Sequence, residues 1–452
     1  MNLPKVALEL CSKLIDSGAY PVIVGGYVRD FFMGKKSKDI DIEVYGINSL
    51  DDLKTSLQSL APVYEVGKHF GVLKIKLDGY DFDISLPRTE KKTAKGHKGF
   101  SVKTDGSLNF KAASMRRDFT MNAMGYDVMQ KSFLDPFNGK KDIDDRIIRH
   151  VNDESFVEDP LRVLRAAQFA ARFDYKLHTN TLKLCQTMVK QKMLLELPRE
   201  RVFEEYKKLL LKAPRPSIGF NILDETGALF PELKMLQGVI QDKIYHPEGD
   251  VWTHTMMSLD AMAALKTGET KRDLVLLLAI LCHDLAKAQT TKIVDGKVSS
   301  IGHENILEPT LSLLARLSNE KSLINAIIPL IQQHLMPSQL YNQKAKDPAI
   351  RRLATKVNIE DLVILSKADH LGRTTQDAVD KNFPAEDWLL EKSKELRVHN
   401  KKASPILQGR HLIAAGIPAG VAFKKILDEA YEAQMDGKII DEKSGLEWLS
   451  QR

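Results

Sequence analysis

Cysteine is scarce in this chain: there are three, Cys11, Cys185 and Cys282, far apart and without a CxxC pair. That spacing excludes a disulfide framework and a cysteine zinc site, and it fits a reducing, cytoplasmic setting. Long apolar runs are also missing. Nowhere do about eighteen uncharged apolar residues follow one another, so no membrane-spanning helix is expected. The opening MNLPKVALELCSKL lacks the apolar core and cleavage pattern of a secretory leader. Glycine and proline are few, 26 and 18 of 452 residues, and no repeat or low-complexity tract is found, which argues against a disordered chain. A strong charge of one sign is absent as well. The formal charge of +6 permits a nucleic-acid partner without requiring one.

What is there is a globular composition on a length that exceeds one hydrophobic core, so two or more domains are expected. Up to about His150, helix-like and strand-like stretches alternate: Val6 to Ser17 is helical, Tyr20 to Val24 is an apolar strand, Tyr27 to Phe32 is helical, and DIDIEVYG, VLKIKL and YDFDISL are strands. This predicts a small mixed α/β domain over 1–150. From Asp159 the apolar period changes to 3.6, as in LRVLRAAQFAARF and RVFEEYKKLLL, with prolines as punctuation. A helical neck is therefore expected over 151–235, a histidine-marked helical body over 236–375 and a charged helical tail over 376–452. The class is α+β. Basic runs occur at Lys91, Lys92, Lys95 and Lys98 and at Arg199, Arg201, Lys207 and Lys208; either contact with phosphates or a solvated helix face accounts for each.

In Lys38-Asp39-Ile40-Asp41-Ile42-Glu43, acidic and apolar residues alternate, so a strand here turns Asp39 and Asp41 to one face and the isoleucines inward. Two such carboxylates suit Mg²⁺, which takes one or two of them together with substrate phosphates. A lone DxD is a weak signal, because solvated strand faces produce it often. Upstream, Val24-Gly25-Gly26-Tyr27-Val28-Arg29-Asp30 reads as a strand, two glycines and a helix start. Backbone N–H groups there can approach a triphosphate, with Arg29 adding a forked contact.

GGYVRD, DIDIEV, Arg116-Arg117-Asp118-Phe119-Thr120-Met121-Asn122-Ala123 and Glu158-Asp159-Pro160-Leu161-Arg162, in that order, resemble the class II tRNA nucleotidyltransferases and the related bacterial poly(A) polymerases. The resemblance implies a polymerase-β-like nucleotidyltransferase head, a mixed sheet with helices, followed by an all-helical neck, body and tail. It implies that Asp39 and Asp41 are catalytic and hold Mg²⁺, that Gly26 and Arg29 line the triphosphate site, and that Arg117 meets the nucleotide, with Asp118 and Asn122 shaping the sugar pocket. Asp83 matches a strand acid of the family; plain alternation on a strand explains it equally well. Asp159, Arg162 and Arg165, spaced three apart near one helical face, correspond to the positions that read CTP or ATP by their Watson–Crick edges. Gln168 stands where many relatives carry another arginine. The polar stretch between Arg88 and Arg116 sits where the family has a flexible loop and favours full CCA addition. The implied partners are CTP, ATP and the tRNA 3′ end, with Lys344, Lys346, Arg351 and Arg352 as phosphate contacts or as an exposed charged face. A poly(A) polymerase, or an enzyme adding only A or only CC, would share these head motifs.

Further on, Leu281-Cys282-His283-Asp284-Leu285-Ala286-Lys287 pairs His with Asp, with His254 before and Asp369 after. That order resembles the HD phosphohydrolases. Imidazoles and carboxylates of this kind suit a second divalent metal, Mg²⁺, Mn²⁺ or Ni²⁺, with His303 and His334 as further ligands or substrate-orienting groups. The resemblance implies phosphatase and 2′,3′-cyclic phosphodiesterase activities. Other relatives keep such helices only as scaffold.

Overall fold

A computed structural model describes residues 1–66, 71–92 and 100–452. Lys95 and Lys98, the side chains of Lys91 and Lys92 and the middle of the expected flexible loop lie outside the described residues. The chain forms two compact units, Met1–Leu229 and Phe230–Arg452. The expected head and neck thus share one unit, and the expected body and tail share the other.

In the first unit, β1 (Tyr20–Val24), β2 (Asp39–Tyr45), β3 (Val63–Val66), β4 (Val72–Leu77), β5 (Tyr80–Ser85), β8 (Gly125–Asp127) and β9 (Ser132–Leu134) form one sheet in the order β3-β4-β5-β2-β1-β8-β9. Within it β2 and β5 run parallel, while the other neighbours are antiparallel. Between them in sequence, β6 (Arg88–Lys92) and β7 (Phe100–Thr104) pair as a separate two-stranded ladder, so the stretch between Arg88 and Arg116 expected as a loop contains two strands. Strand β4 turns into β5 through Asp78 and Gly79, both at positive φ (49° and 76°), the geometry a tight hairpin demands. Helix α1 (Lys5–Asp16) buries Val6, Ala7, Leu10, Cys11 and Leu14, an i, i+4 stripe that packs along β1. Helix α2 (Gly26–Phe32) follows β1 directly.

The neck is built from α3 (Leu161–Phe173), α4 (Arg199–Lys212) and α5 (Pro216–Thr226). α5 crosses closely because Gly219 has no side chain: a Cβ there would lie 2.4 Å from Leu209 Cδ1 and 3.0 Å from the Ala167 carbonyl.

In the second unit α6 (Val251–Ala264), α7 (Thr270–Cys282), α8 (Lys321–Gln333) and α9 (Ile359–Leu371) pack together. α7 is buried on every side from Leu276 to Cys282, as suits a central helix. The tail helices gather around Leu407, Leu412, Ala430, Ala433, Ile439 and Leu449. The expected all-helical remainder contains two departures: Lys176–Leu177 in the neck pairs as a short strand with Ile147–Ile148 of the head, and Lys292–Val294 forms a hairpin with Lys297–Ser299. Asp295 and Gly296, at φ 50° and 74°, make the hairpin turn. Among the described residues no helix is long and apolar enough to cross a membrane.

Candidate functional site

Strand β2 alternates as its sequence requires: Asp39 and Asp41 are exposed, while Ile40 and Ile42 are buried. Because β5 runs parallel beside it, Asp83 falls opposite Asp41 and Asp81 opposite Asp39. These acids line a cleft of about 490 Å³ together with Lys74. Asp83 is held by Lys74, whose Nζ donates at 2.8 and 2.6 Å to its two oxygens. Among the described residues, neither Asp39 nor Asp41 has a side-chain hydrogen bond or ion pair. Asp41 keeps an open edge to the cleft yet is otherwise crowded by protein. Desolvation raises its carboxyl above the ordinary range, Asp83 and Asp39 push the same way, and Arg117 opposes them. Converging carboxylates at an open cleft fit a divalent cation, which would relieve that repulsion.

Gly25 lies beside Asp41. Gly25 has φ 71° and ψ −127°, a backbone that only glycine adopts without strain, and a Cβ there would sit 2.9 Å from Arg117 Nη1 and 3.5 Å from Asp41 Oδ2. The glycine that brings the backbone against the site is therefore Gly25, while Gly26, named from the motif, starts α2. Arg29 is placed differently from the triphosphate contact expected of it. It is buried, with Nε 2.8 Å from Asp30 Oδ1, Nη1 2.7 Å from Asn122 Oδ1, and the Phe173 ring 4.9 Å away. Arg117 lies against Gly25, with Nη1 3.3 Å from the Asn122 carbonyl and Nη2 3.7 Å from Glu43 Oε1.

Glu43 was not singled out from the sequence. It is fully buried on β2, where its carboxylate accepts from Tyr45 Oη and Arg116 Nη2, each at 2.7 Å. The signal was present, since it continues the Asp39, Asp41 alternation; a buried glutamate needs cations, and two arginines supply them.

Asp118 joins head to neck. Its Oδ1 accepts from Phe119 N at 2.8 Å and Asn122 Nδ2 at 3.0 Å; its Oδ2 accepts from Arg165 Nε at 2.9 Å and Nη2 at 2.6 Å. Burial alone would raise this carboxyl, but Arg165, the Asn122 amide and Arg162 hold it down at about 2. Asp159, Arg162 and Arg165 do not share one helix face. Asp159 has extended backbone (φ −115°, ψ 101°) ahead of α3, because the residue before a proline, here Pro160, is kept out of the α region. Its side chain pairs with Arg201 at 3.0 Å, Arg162 donates to the carbonyls of Ser155 and Arg116, and Arg165 holds Asp118. Gln168 is buried, with Nε2 lacking a hydrogen-bond partner.

In the second unit the structure gathers His254 from α6, His283 and Asp284 from the end of α7, His303, His334 from the end of α8 and Asp369 from α9. All six are buried. His254 Nε2 lies 2.9 Å from Asp369 Oδ1, and Asp284 Oδ1 lies 3.1 Å from His303 Nε2 and 4.0 Å from His334 Nε2. Glu248, also overlooked, accepts from His254 Nδ1 at 2.9 Å and His246 Nδ1 at 2.8 Å.

Tautomers decide what this cluster can hold. His283, His303 and His334 each donate Nδ1–H to a backbone carbonyl, of Ile280, Ser300 and Ile331, at 2.7, 2.7 and 2.6 Å. A carbonyl only accepts, so every Nε2 of a neutral ring carries a lone pair turned inward. The Nε2 atoms of His303 and His334 face each other at 3.4 Å, and burial, helped by His283, pushes His334 down to about 3, so that ring is neutral. Burial lowers His303, but the Asp284 carboxylate beside its Nε2 raises it above the ordinary histidine value, so either a proton on His303 or a shared cation joins the two nitrogens. A separation near 3.4 Å is what two imidazoles show when each lies about 2.1 Å from one tetrahedral cation. His283 Nε2 and both oxygens of Asp284 are buried without a hydrogen bond, although Lys287 Nζ is 2.8 Å from Asp284. Asp284 and Asp369 are held well below the carboxylate range; burial opposes this, but His283 and Lys287 outweigh it for Asp284, and Arg373 and His254 for Asp369. The donor set fits a divalent metal oriented by carbonyls behind the rings.

Residues 21–149 match the poly A polymerase head domain, and residues 174–236 match a family described as the probable RNA and SrmB- binding site of polymerase A. The chain is 36% identical to the multifunctional CCA protein of Janthinobacterium sp. (strain Marseille), over 81% of this chain and 86% of that one. It resembles the Bacillus stearothermophilus CCA-adding enzyme in complex with CTP (TM-score 0.65, 22% identity, covering 100% and 98% of the two chains). It also resembles the Thermotoga maritima CCA-adding enzyme complexed with tRNA (TM-score 0.63, 21% identity, covering 99% and 96%). At those identities the two structures speak for the fold alone. With its head matched and a relative covered over most of its length, the chain belongs to the class II family of CCA-adding enzymes and poly(A) polymerases.

Proposed function

We propose that this chain adds CCA to the 3′ end of tRNA in the cytoplasm, taking CTP and ATP at the carboxylate cleft of the head. The observation that carries this is the placement of Asp39 and Asp41, without ionic partners among the described residues, beside Asp83 and against the Gly25 backbone. The names of the relatives, and the CTP and tRNA held by solved ones, support the substrates. Asp39 and Asp41 hold Mg²⁺. Bound there, Mg²⁺ supplies the Lewis acidity that activates the 3′-hydroxyl and neutralises the leaving pyrophosphate. The O3′–Pα bond forms as the bond from Pα to the bridging oxygen breaks, and the hydroxyl proton passes to solvent. Gly26 opens α2 toward the triphosphate, Arg117 adds positive charge beside it, and Arg29 braces Asn122. Asp159, Arg162 and Arg165 read the base, exchanging their present protein partners for its edge.

A second reaction is supported at the histidine cluster, where inward lone pairs and unbonded Asp284 oxygens suit a metal (Mg²⁺, Mn²⁺ or Ni²⁺) and hydrolysis of phosphate esters, including 2′,3′-cyclic phosphates. The test of the first activity supplies Mg²⁺, CTP and ATP to tRNA transcripts ending before CCA, after C and after CC. Extension that stops at CCA and vanishes in Asp39→Ala is expected. Long A tails would indicate a poly(A) polymerase, addition of only A or only CC a specialised enzyme, and no extension would defeat the proposal.

A further inference from the structure

Arg373 is left unexplained by either metal-holding set. It follows α9, four residues after Asp369, and lines a pocket of about 400 Å³ that opens onto the cluster at His303, beside Lys287 and His246. Two features hold it there. Gly372, just before it, presses on α6 so tightly that a Cβ would lie 1.9 Å from Ser258 Oγ and 2.7 Å from Ser258 N. Thr374, just after it, donates its N–H to Glu248 Oε2 at 3.2 Å, and the other oxygen of Glu248 holds His254. The guanidinium is nonetheless poorly satisfied: Nη2 reaches the two Asp369 oxygens only at 3.4 Å, and Nε is buried with no hydrogen-bond partner. A buried donor without an acceptor is costly, and a planar fork matches phosphate oxygens two at a time.

We propose that Arg373 is the phosphate-binding residue of the second site, receiving the phosphate of a single 3′-terminal nucleotide, as a monoester or a 2′,3′-cyclic diester, in the pocket beside the cluster. The assignment rests on the hydrolase function proposed above and names what confers its preference for phosphorylated ends. The pocket has room for about one nucleotide. Gln241 and the exposed Tyr245 ring, on its wall, offer an amide and a stacking face to the base.

The full-length protein and Arg373→Gln and Arg373→Lys are compared by calorimetry with 3′-AMP, with inorganic phosphate and with an oligonucleotide ending in 3′-phosphate. Bound metal is measured in each, and turnover of 2′,3′-cyclic AMP gives KM and kcat. The loss of a charge-assisted fork predicts about 10- to 100-fold weaker binding of 3′-AMP to Arg373→Gln, partial recovery in Arg373→Lys, a raised KM, and unchanged metal content and CCA addition. Stronger binding of the oligonucleotide than of 3′-AMP identifies an RNA end as the ligand, and equal binding a free nucleotide. Equal affinities in wild type and Arg373→Gln overturn the assignment, as does loss of metal in Arg373→Gln, which would make Arg373 a brace for Asp369. If wild type binds 3′-AMP through Arg373 but turns over no phosphate ester, the hydrolase proposal fails and the binding site stands.

Discussion

Replacing Asp118 by asparagine removes the charge that ties the RRD motif to the neck while leaving the volume nearly unchanged. The Asp118 carboxyl moves from 3.8 in the unfolded chain to about 2 in the folded one. At about 1.4 kcal/mol per pH unit, its ionisation therefore contributes about 2.5 kcal/mol to the stability of the first unit. Because the folded value is depressed, that contribution is complete above about pH 5 and is lost as pH falls from 3.8 toward 2, with roughly half gone at pH 3. Asparagine adds a further penalty: Arg165 Nε and Nη2 both point at Asp118 Oδ2, and an amide cannot match a carboxylate across both of its oxygens. Breaking a buried pair on one side costs about 3–5 kcal/mol in all. Denaturant unfolding of wild type and Asp118→Asn at pH 7, 5 and 3 measures this. Far-UV circular dichroism is the probe, because Trp252, Trp388 and Trp448 all lie in the second unit and their fluorescence does not report on the first. The gap should be at least 2 kcal/mol at pH 7 and shrink by about 1 kcal/mol by pH 3. A gap under 0.5 kcal/mol, or one that does not change with pH, would refute the account of Asp118 as a buried, ionised anchor.

Asp41→Asn should abolish nucleotide addition without destabilising the fold: its folded carboxyl is raised, so the ionised form is unfavourable at neutral pH, and the variant should melt at or above the wild-type temperature. Added Mg²⁺ should raise the melting temperature of wild type and not of that variant, by differential scanning calorimetry. Gly25→Ala should cost about 1–3 kcal/mol in backbone strain and displace Arg117; a variant with wild-type stability and activity would contradict the contact between Gly25 and Arg117. Removing metal with a chelator should lower the tryptophan-monitored unfolding midpoint of the second unit, and His334→Ala should remove that response. An unchanged midpoint would count against a bound metal at the cluster.

Much of the site was legible because it is local. Strand alternation turned Asp39 and Asp41 outward, the polar face being independent of what packs behind it, and β2 runs from Asp39 to Tyr45, one residue short of the run DIDIEVYG. The periodic run LRVLRAAQFAARF became α3 residue for residue, since ten of its thirteen positions are buried and thus dictated by packing. The Asp–Gly turn at Asp295 was equally local and was overlooked inside a segment read as helical, although two residues at positive φ between short strands are a hairpin signal.

The sequence by itself determined which residues are chemically able to act: the acids of β2, the glycine pair at the start of α2 and the histidines scattered from 254 to 334. Only the tertiary structure decided their partners. The parallel pairing of β2 with β5 sets Asp83 against Asp41, burial commits Arg29 to Asp30 and Asn122, and Pro160 takes Asp159 off the helix that carries Arg162 and Arg165. The histidines converge because α6, α7, α8 and α9 pack around one point, and carbonyls behind three rings choose the nitrogen that faces inward. The physical reason is range. Propensity and alternation act over a few residues, whereas ionisation, tautomer and metal fit depend on groups brought together across as many as 115 positions of chain, as between His254 and Asp369.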